Sequence, residues 1–325
     1  ILVEDLARAY RHSIAEREIR LPARTDSYQR WARKLEEYAK SPTLLQEKDF
    51  WTRVETTQAE DIPLDFETPE TNRCGDAQIV RFGLSEETTR HLLTDVHRAY
   101  NTKVGDLLLT ALAGALKEWH GGQRTRIMME GHGREPLPGR VDVSRTVGWF
   151  TSLYPAVLDL KNKEDIGSQV KEIKETLRYV PKKGIGYGVL KYLVPEEHKL
   201  GFPTAPAPRL LFNYHGKVNS ESGGGLFTSS ADTDAIGRFR GDALERTELL
   251  DLEAVIENDR LEISALFNPK AHRRETIEWF AARYRSTLER IIEHCKSKPS
   301  TDMTPSDVSR VSLDVEEFES IFEDE

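Results

Sequence analysis

Apolar residues in the first part of the chain recur at helical spacing. Over residues 1–17, Leu2, Leu6, Tyr10 and Ile14 fall on one stripe. A second helical pattern runs from about Ser27 to Tyr38, with Trp31, Leu35 and Tyr38 on a common face. A third covers Leu45 to Val54 and carries Phe50 and Trp51. A polar connector with Pro63 and Pro69 follows, and its composition marks a lobe boundary.

Beyond the connector, strand and helix patterns alternate. Gln78–Phe82 predicts a strand. Ser85 then caps a helix whose first turn carries Glu86 and Glu87, favourable at the positive end of the helix dipole. Asp106 is placed to cap an apolar helix over Leu107–Trp119, and Gly121-Gly122 stops it. Thr125–Glu130 and Leu153–Leu160 read as strands around a long connection. The amphipathic stretch Ile166–Tyr179 predicts a helix ended by Pro181. Arg209–Tyr214 predicts another strand, and Ser220–Gly225 a flexible loop. Leu249–Ile256 and Leu261–Phe267 flank Glu257-Asn258-Asp259-Arg260, a hairpin signal. A long helix is expected over Arg273–Cys295. The acidic remainder contains a weak helical pattern near Val315–Phe322 and reads as a linker or docking tail. The pattern indicates an α/β or α+β layered fold. It divides into residues 1–75, 76–297 and 298–325.

A chain of 325 residues can bury a large core, as one domain or two lobes. The net charge of −9 argues against a nucleic-acid surface, which needs a basic stripe. No apolar run approaches the length of a membrane span. Cys74 and Cys295 are far apart in sequence and are expected as reduced thiols of a cytoplasmic protein. Glu130 and His132 imitate the spacing of a zinc deaminase motif only superficially, because the paired cysteines are missing, so no metal is expected.

The candidate chemistry concentrates in Glu130-Gly131-His132-Gly133-Arg134-Glu135, at the end of the apolar strand Ile127-Met128-Met129. Charged groups on a glycine-permissive loop at a strand end are where enzymes place acids and bases. Arg145-Thr146-Val147-Gly148-Trp149-Phe150-Thr151 follows closely, and Leu153-Tyr154-Pro155 comes just after it. Together these segments resemble the EGHGRE and RTVGWFTxxYP motifs of epimerization domains of nonribosomal peptide synthetases. The resemblance extends along nearly the whole chain. Residues 181–188 are similar to the family's PxxGxGYG, Phe212-Asn213-Tyr214 to its FNY segment, residues 105–112 to its DLLLTAL helix start, and residues 27–32 to its SFxxWA. Condensation domains share the fold but usually lack the EGHGRE loop.

This resemblance implies a two-lobed chloramphenicol-acetyltransferase-like fold with an active-site tunnel between the lobes. The implied reaction is L-to-D epimerization at the Cα of an aminoacyl or peptidyl thioester. The substrate would arrive on the 4′-phosphopantetheine of an upstream peptidyl carrier domain, so no cofactor of the domain's own is expected. The superfamily's HHxxxDG motif is absent, and no HH pair occurs in the sequence. The resemblance therefore implies an epimerization domain cut at or just after that motif, lacking part of its N-terminal lobe and largely inactive alone.

By resemblance, Glu130 serves one face of the Cα and the motif histidine the other. Arg134 either orients Glu130 and polarises the thioester or pairs with Glu135. His132 is either a base or part of a turn network. Asn213 and Tyr214 either donate to the enolate oxygen and orient substrate or satisfy backbone groups. His215 departs from the family's FNYLGQF pattern. Gly186 and Tyr187 belong to a tight glycine loop assigned to the substrate wall. Trp149 is either substrate-binding or, with Phe150, part of the core. The tail either docks on a downstream condensation domain or tethers it. Two other function classes remain beside epimerization: a condensation-type acyltransferase, and a catalytically inactive docking module.

Overall fold

The computed structural model describes residues 1–67, 69–198, 207–218, 221–222, 226–228, 240–308 and 313–323. Its centre is a six-stranded mixed sheet. Four helices precede it: α1 (Leu2–Ile14), α2 (Tyr28–Tyr38), α3 (Pro42–Leu45) and α4 (Lys48–Thr56). Then come β1 (Gln78–Gly83), α5 (Glu86–Leu93), α6 (Val104–His120), β2 (Arg124–Gly131) and β3 (Ser152–Asp159). They are followed by α7 (Ile166–Tyr179), α8 (Ile185–Tyr192) and β4 (Leu210–Val218). The short pair β5 (Glu221–Ser222) and β6 (Phe227–Thr228) leads to the hairpin β7 (Leu250–Glu257) and β8 (Arg260–Phe267). The chain continues through α9 (Arg274–Ser297), α10 (Pro305–Val308) and α11 (Val315–Glu323). The expected loop Ser220–Gly225 lies outside the described residues except for 221–222.

The strand order is β1-β8-β7-β4-β2-β3. β4 runs parallel to both β2 and β7, and the other pairings are antiparallel. The β7–β8 hairpin turns on Asn258 and Asp259, both at positive φ (48° and 59°), as a two-residue turn matching strand twist requires.

Alternation gives the sheet one continuous apolar face. Ile127 and Met129, Leu210 and Phe212, Leu250 through Ile256, and Leu261 through Phe267 bury every second side chain there. α6 is apolar nearly all round because it is enclosed on several sides, by the sheet, α7 and α9. Tyr284 of α9 donates to the Leu108 carbonyl oxygen at 3.0 Å and ties the two helices together. The start of α6 corrects the expected cap. Lys103 is the N-cap and Asp106 lies in the first turn, accepting the Lys103 N–H at 2.7 Å and clasping Arg178 of α7 at 3.0 and 2.6 Å.

Two apolar patterns lie differently from the sequence expectation. The α1 stripe is real, but Leu2, Leu6, Tyr10 and Ile14 are 68%, 58%, 52% and 65% exposed, and only Ala7 of this helix is buried. The acidic tail, by contrast, packs on its own domain. Val315 and Phe318 are buried against it. Glu316 and Glu319 pair with Lys163 and Lys171 at 2.9 and 2.7 Å. Among the described residues no helix is long and apolar enough to cross a membrane. Cys74 and Cys295 are both free thiols.

Candidate active site

β2 delivers Glu130 to the end of its strand, opposite Leu153 of β3. The chain then makes a long loop through residues 132–151 and returns to β3. Gly133 is required where it stands. Its φ is +66°, and a Cβ there would collide with the Phe150 carbonyl oxygen. The loop's charged side chains are spent on holding its shape. Arg134 donates to the carbonyl oxygens of Val143 and Thr146, the latter at 2.8 Å, and lies 4.0 Å over the Phe150 ring. It pairs with neither Glu130 nor Glu135. Glu135 is buried and is held by His132 Nε2 at 3.0 Å and Lys183 Nζ at 3.2 Å. His132 Nδ1 accepts the Arg134 N–H at 3.0 Å. With Nδ1 accepting and Nε2 on a carboxylate, the imidazole is the turn-network member and not a free base. Arg134 and His132 are both engaged in the structure of the loop itself.

Glu130 is half-buried, and burial is the main cause that raises its pKa above the ordinary carboxylate range. Glu253 adds to the rise. His215, Arg240 and a hydrogen bond from Thr151 oppose it. The sheet register accounts for the company. Met128 is level with Leu211 of β4, which sets Glu130 level with Asn213, and Asn213 is level with Glu253 of β7. Side chains two apart share a face, so Glu130, Asn213 and Glu253 stand in one row on the side opposite the apolar core. Tyr214 is one residue further on, and alternation turns it to the other face. There it packs against the core, and burial raises its phenol pKa. The structure therefore brings Asn213 to Glu130 and takes Tyr214 away from it.

The whole chain has close relatives. Residues 1–313 match the condensation domain family. The chain belongs to the condensation-domain family. It is 39% identical over 324 residues to surfactin synthase subunit 1 of Bacillus subtilis, and 40% identical over 324 residues to tyrocidine synthase 2 of Brevibacillus parabrevis. Each match covers 99% of this chain and 9% of the relative. Among solved structures, the fold is similar to the epimerization domain from the third module of tyrocidine synthetase B. That match has a TM-score of 0.85 at 40% identity and covers 91% of this chain and 66% of the other. The first condensation domain of the CDA synthetase shares the fold alone, with a TM-score of 0.62 at 16% identity over 92% of this chain and 61% of that one.

The remaining candidates lie elsewhere in this condensation-family domain. Tyr187 is buried, donates to the Glu55 carboxylate and packs 5.2 Å from the Trp51 ring. Gly186 is not in a loop; it is in α8, where a Cβ would strike the Glu47 carboxylate. That carboxylate accepts from Tyr38 at 2.8 Å and Trp51 at 3.1 Å. Both residues pack α8 onto the N-terminal helices. Trp149 is 76% exposed, whereas Phe150 is buried against Tyr28 and Trp31. Thr151, Asp251 and Glu253 were missed as site neighbours. The alternation in Leu250-Asp251-Leu252-Glu253-Ala254 puts both acids on one face, a legible signal.

Proposed function

We propose that this domain epimerizes the Cα of an aminoacyl or peptidyl thioester carried on the 4′-phosphopantetheine of a carrier domain in nonribosomal peptide synthesis. The observation that carries the reading is Glu130 itself: a half-buried carboxyl with a raised pKa at the end of β2, beside Asn213. The chain holding it is 40% identical to a solved epimerization domain.

A thioester acidifies the adjacent Cα–H, because the resulting anion delocalises into the carbonyl. Glu130 exchanges a proton with one face of that carbon. A raised pKa suits a carboxyl for both taking and returning a proton near neutrality. The Asn213 amide supplies N–H donors for the enolate oxygen or for substrate orientation. One C–H bond breaks and one forms, and no electrons are exchanged with a cofactor. The opposite-face group that the resemblance implies, the second histidine of HHxxxDG, does not occur in these 325 residues. The chain by itself is therefore expected to epimerize poorly. The proposed partners are the carrier domain that presents the substrate and a downstream condensation domain that accepts it.

The test is Glu130→Gln in a polypeptide joining this chain to an HHxxxDG-bearing N-terminal portion. Epimerization of a carrier-bound thioester should fall by at least ~10²-fold, the scale of a lost acid or base. The circular dichroism spectrum should not change. A folded variant that retains nearly full activity contradicts the role.

A further inference from the structure

The carboxylates of β7 have no part in the reaction as assigned to Glu130. Strands β2, β4 and β7 lie side by side and parallel, and Glu130, Asn213 and Glu253 form a row across them. Backbones two strands apart are about 10 Å from one another. Two glutamate side chains at the ends of such a row can narrow that span, with only an asparagine between them. Asp251 stands two residues back on the same face of β7, 4% exposed, and its Oδ1 has no hydrogen-bond partner. Ser264 of β8 lies level with Glu253 and brings no charge.

The charged and polar groups facing Glu130 come from four places: Thr151 before β3, His215 of β4, Glu253 of β7, and Arg240. Those around Asp251 are Glu253, Arg246, Glu248 and Arg240. Arg246 is itself half-buried, and its Nη1 has no hydrogen-bond partner.

We propose that Glu253 is a positioning residue for Glu130: across the row from it, with Asp251 behind, it sets a second carboxylate against the one that exchanges the substrate proton. The inference rests on the reading of Glu130 as the proton-transfer group. Its sign is fixed by charge. A negative neighbour disfavours a second negative charge, so Glu253 moves the Glu130 titration to higher pH, while His215 and Arg240 move it lower. Burial of Asp251, with Glu253 beside it, pushes that carboxyl up to about 7.

The experiment is a carboxyl carbon NMR titration of this chain, with the Glu130 resonance assigned from its loss in E130Q. In E253Q, which keeps the volume and removes the charge, the Glu130 midpoint should fall by about half a pH unit or more. In E253D, which keeps the charge, it should stay near the wild-type value. A midpoint unmoved in folded E253Q, or moved equally in both variants, overturns the proposal. The titration needs no turnover, so its outcome is separate from that of the proposed reaction. If E130Q still epimerizes while E253Q shifts the midpoint, the role of Glu130 fails and the electrostatic coupling stands.

Discussion

Gly133 fixes the geometry of the loop that follows Glu130. At φ +66° any side chain is strained, and a Cβ would meet the Phe150 backbone, which cannot swing aside. Gly133→Ala should cost more than the ~1–3 kcal/mol of backbone strain alone, because the loop must also move. Urea denaturation should show that loss, and Glu130 should lose its hydrogen bond from Thr151. A variant as stable as wild type would mean that the loop is not built as described. At this scale the motif letters singled out Glu130, Asn213 and Tyr214 without distinguishing their placement. Asn213 and Tyr214 are adjacent in one motif, yet a strand sends adjacent side chains to opposite faces. Only the register shows which of them meets Glu130. His132 and Arg134 each left a catalytic and a structural reading open. Their partners are the Glu135 carboxylate and the Val143 and Thr146 carbonyls, which no spacing rule announces.

Elements with strong periodicity and clear stops were legible to within a residue or two. α7 spans Ile166–Tyr179 as read, and the Asn258-Asp259 turn joins β7 to β8 as read. α8 was not, because Gly184, Gly186 and Gly188 suggested a loop. Only Gly184, at φ +83°, has the left-handed backbone that such a reading needs, and close packing against Glu47 holds the rest helical. The tail was misjudged for the opposite reason: its charge concealed its contacts. Lys174 of α7 is fully buried and donates to the Tyr100 carbonyl at 2.8 Å, Thr304 Oγ1 at 2.7 Å and Asp307 at 2.6 Å. Thr304 and Ser306 both donate to Glu175 at 2.6 Å. Lys174→Met removes the buried charge and strands its acceptors. It should destabilise the domain by about 3 kcal/mol and expose residues 298–308 to protease. The surface pairs of Glu316 and Glu319 should matter far less, since exposed pairs contribute about 0–1 kcal/mol. A Lys174→Met protein with unchanged stability and unchanged cleavage would show that the strap is not held by this lysine.

In the molecule as a whole, the sheet order was the least legible feature. β4 joins β2 to β7 through parallel pairings, and a parallel neighbour leaves no mark in local sequence. For that reason the row that sets Glu253 beside Asn213 was invisible, although each strand was found. The exposed apolar stripe of α1 shows a similar limit. Periodicity identifies an apolar face, but it does not say what covers it. Here Arg145, from the loop that follows Glu130, reaches Glu4 at 2.9 Å and also pairs with Asp5, fastening α1 by its polar flank. In the proposed reaction the Cα of a tethered thioester loses and regains its proton, and no new bond to carbon skeleton or nitrogen is made. Incubating the domain, joined to an HHxxxDG-bearing N-terminal portion, with a carrier-bound L-aminoacyl thioester in deuterated water tests it most directly. The account predicts deuterium at Cα and a mixture of L and D residues on release. Unlabelled L residue, or amide formation with an acceptor and no change at Cα, would contradict it.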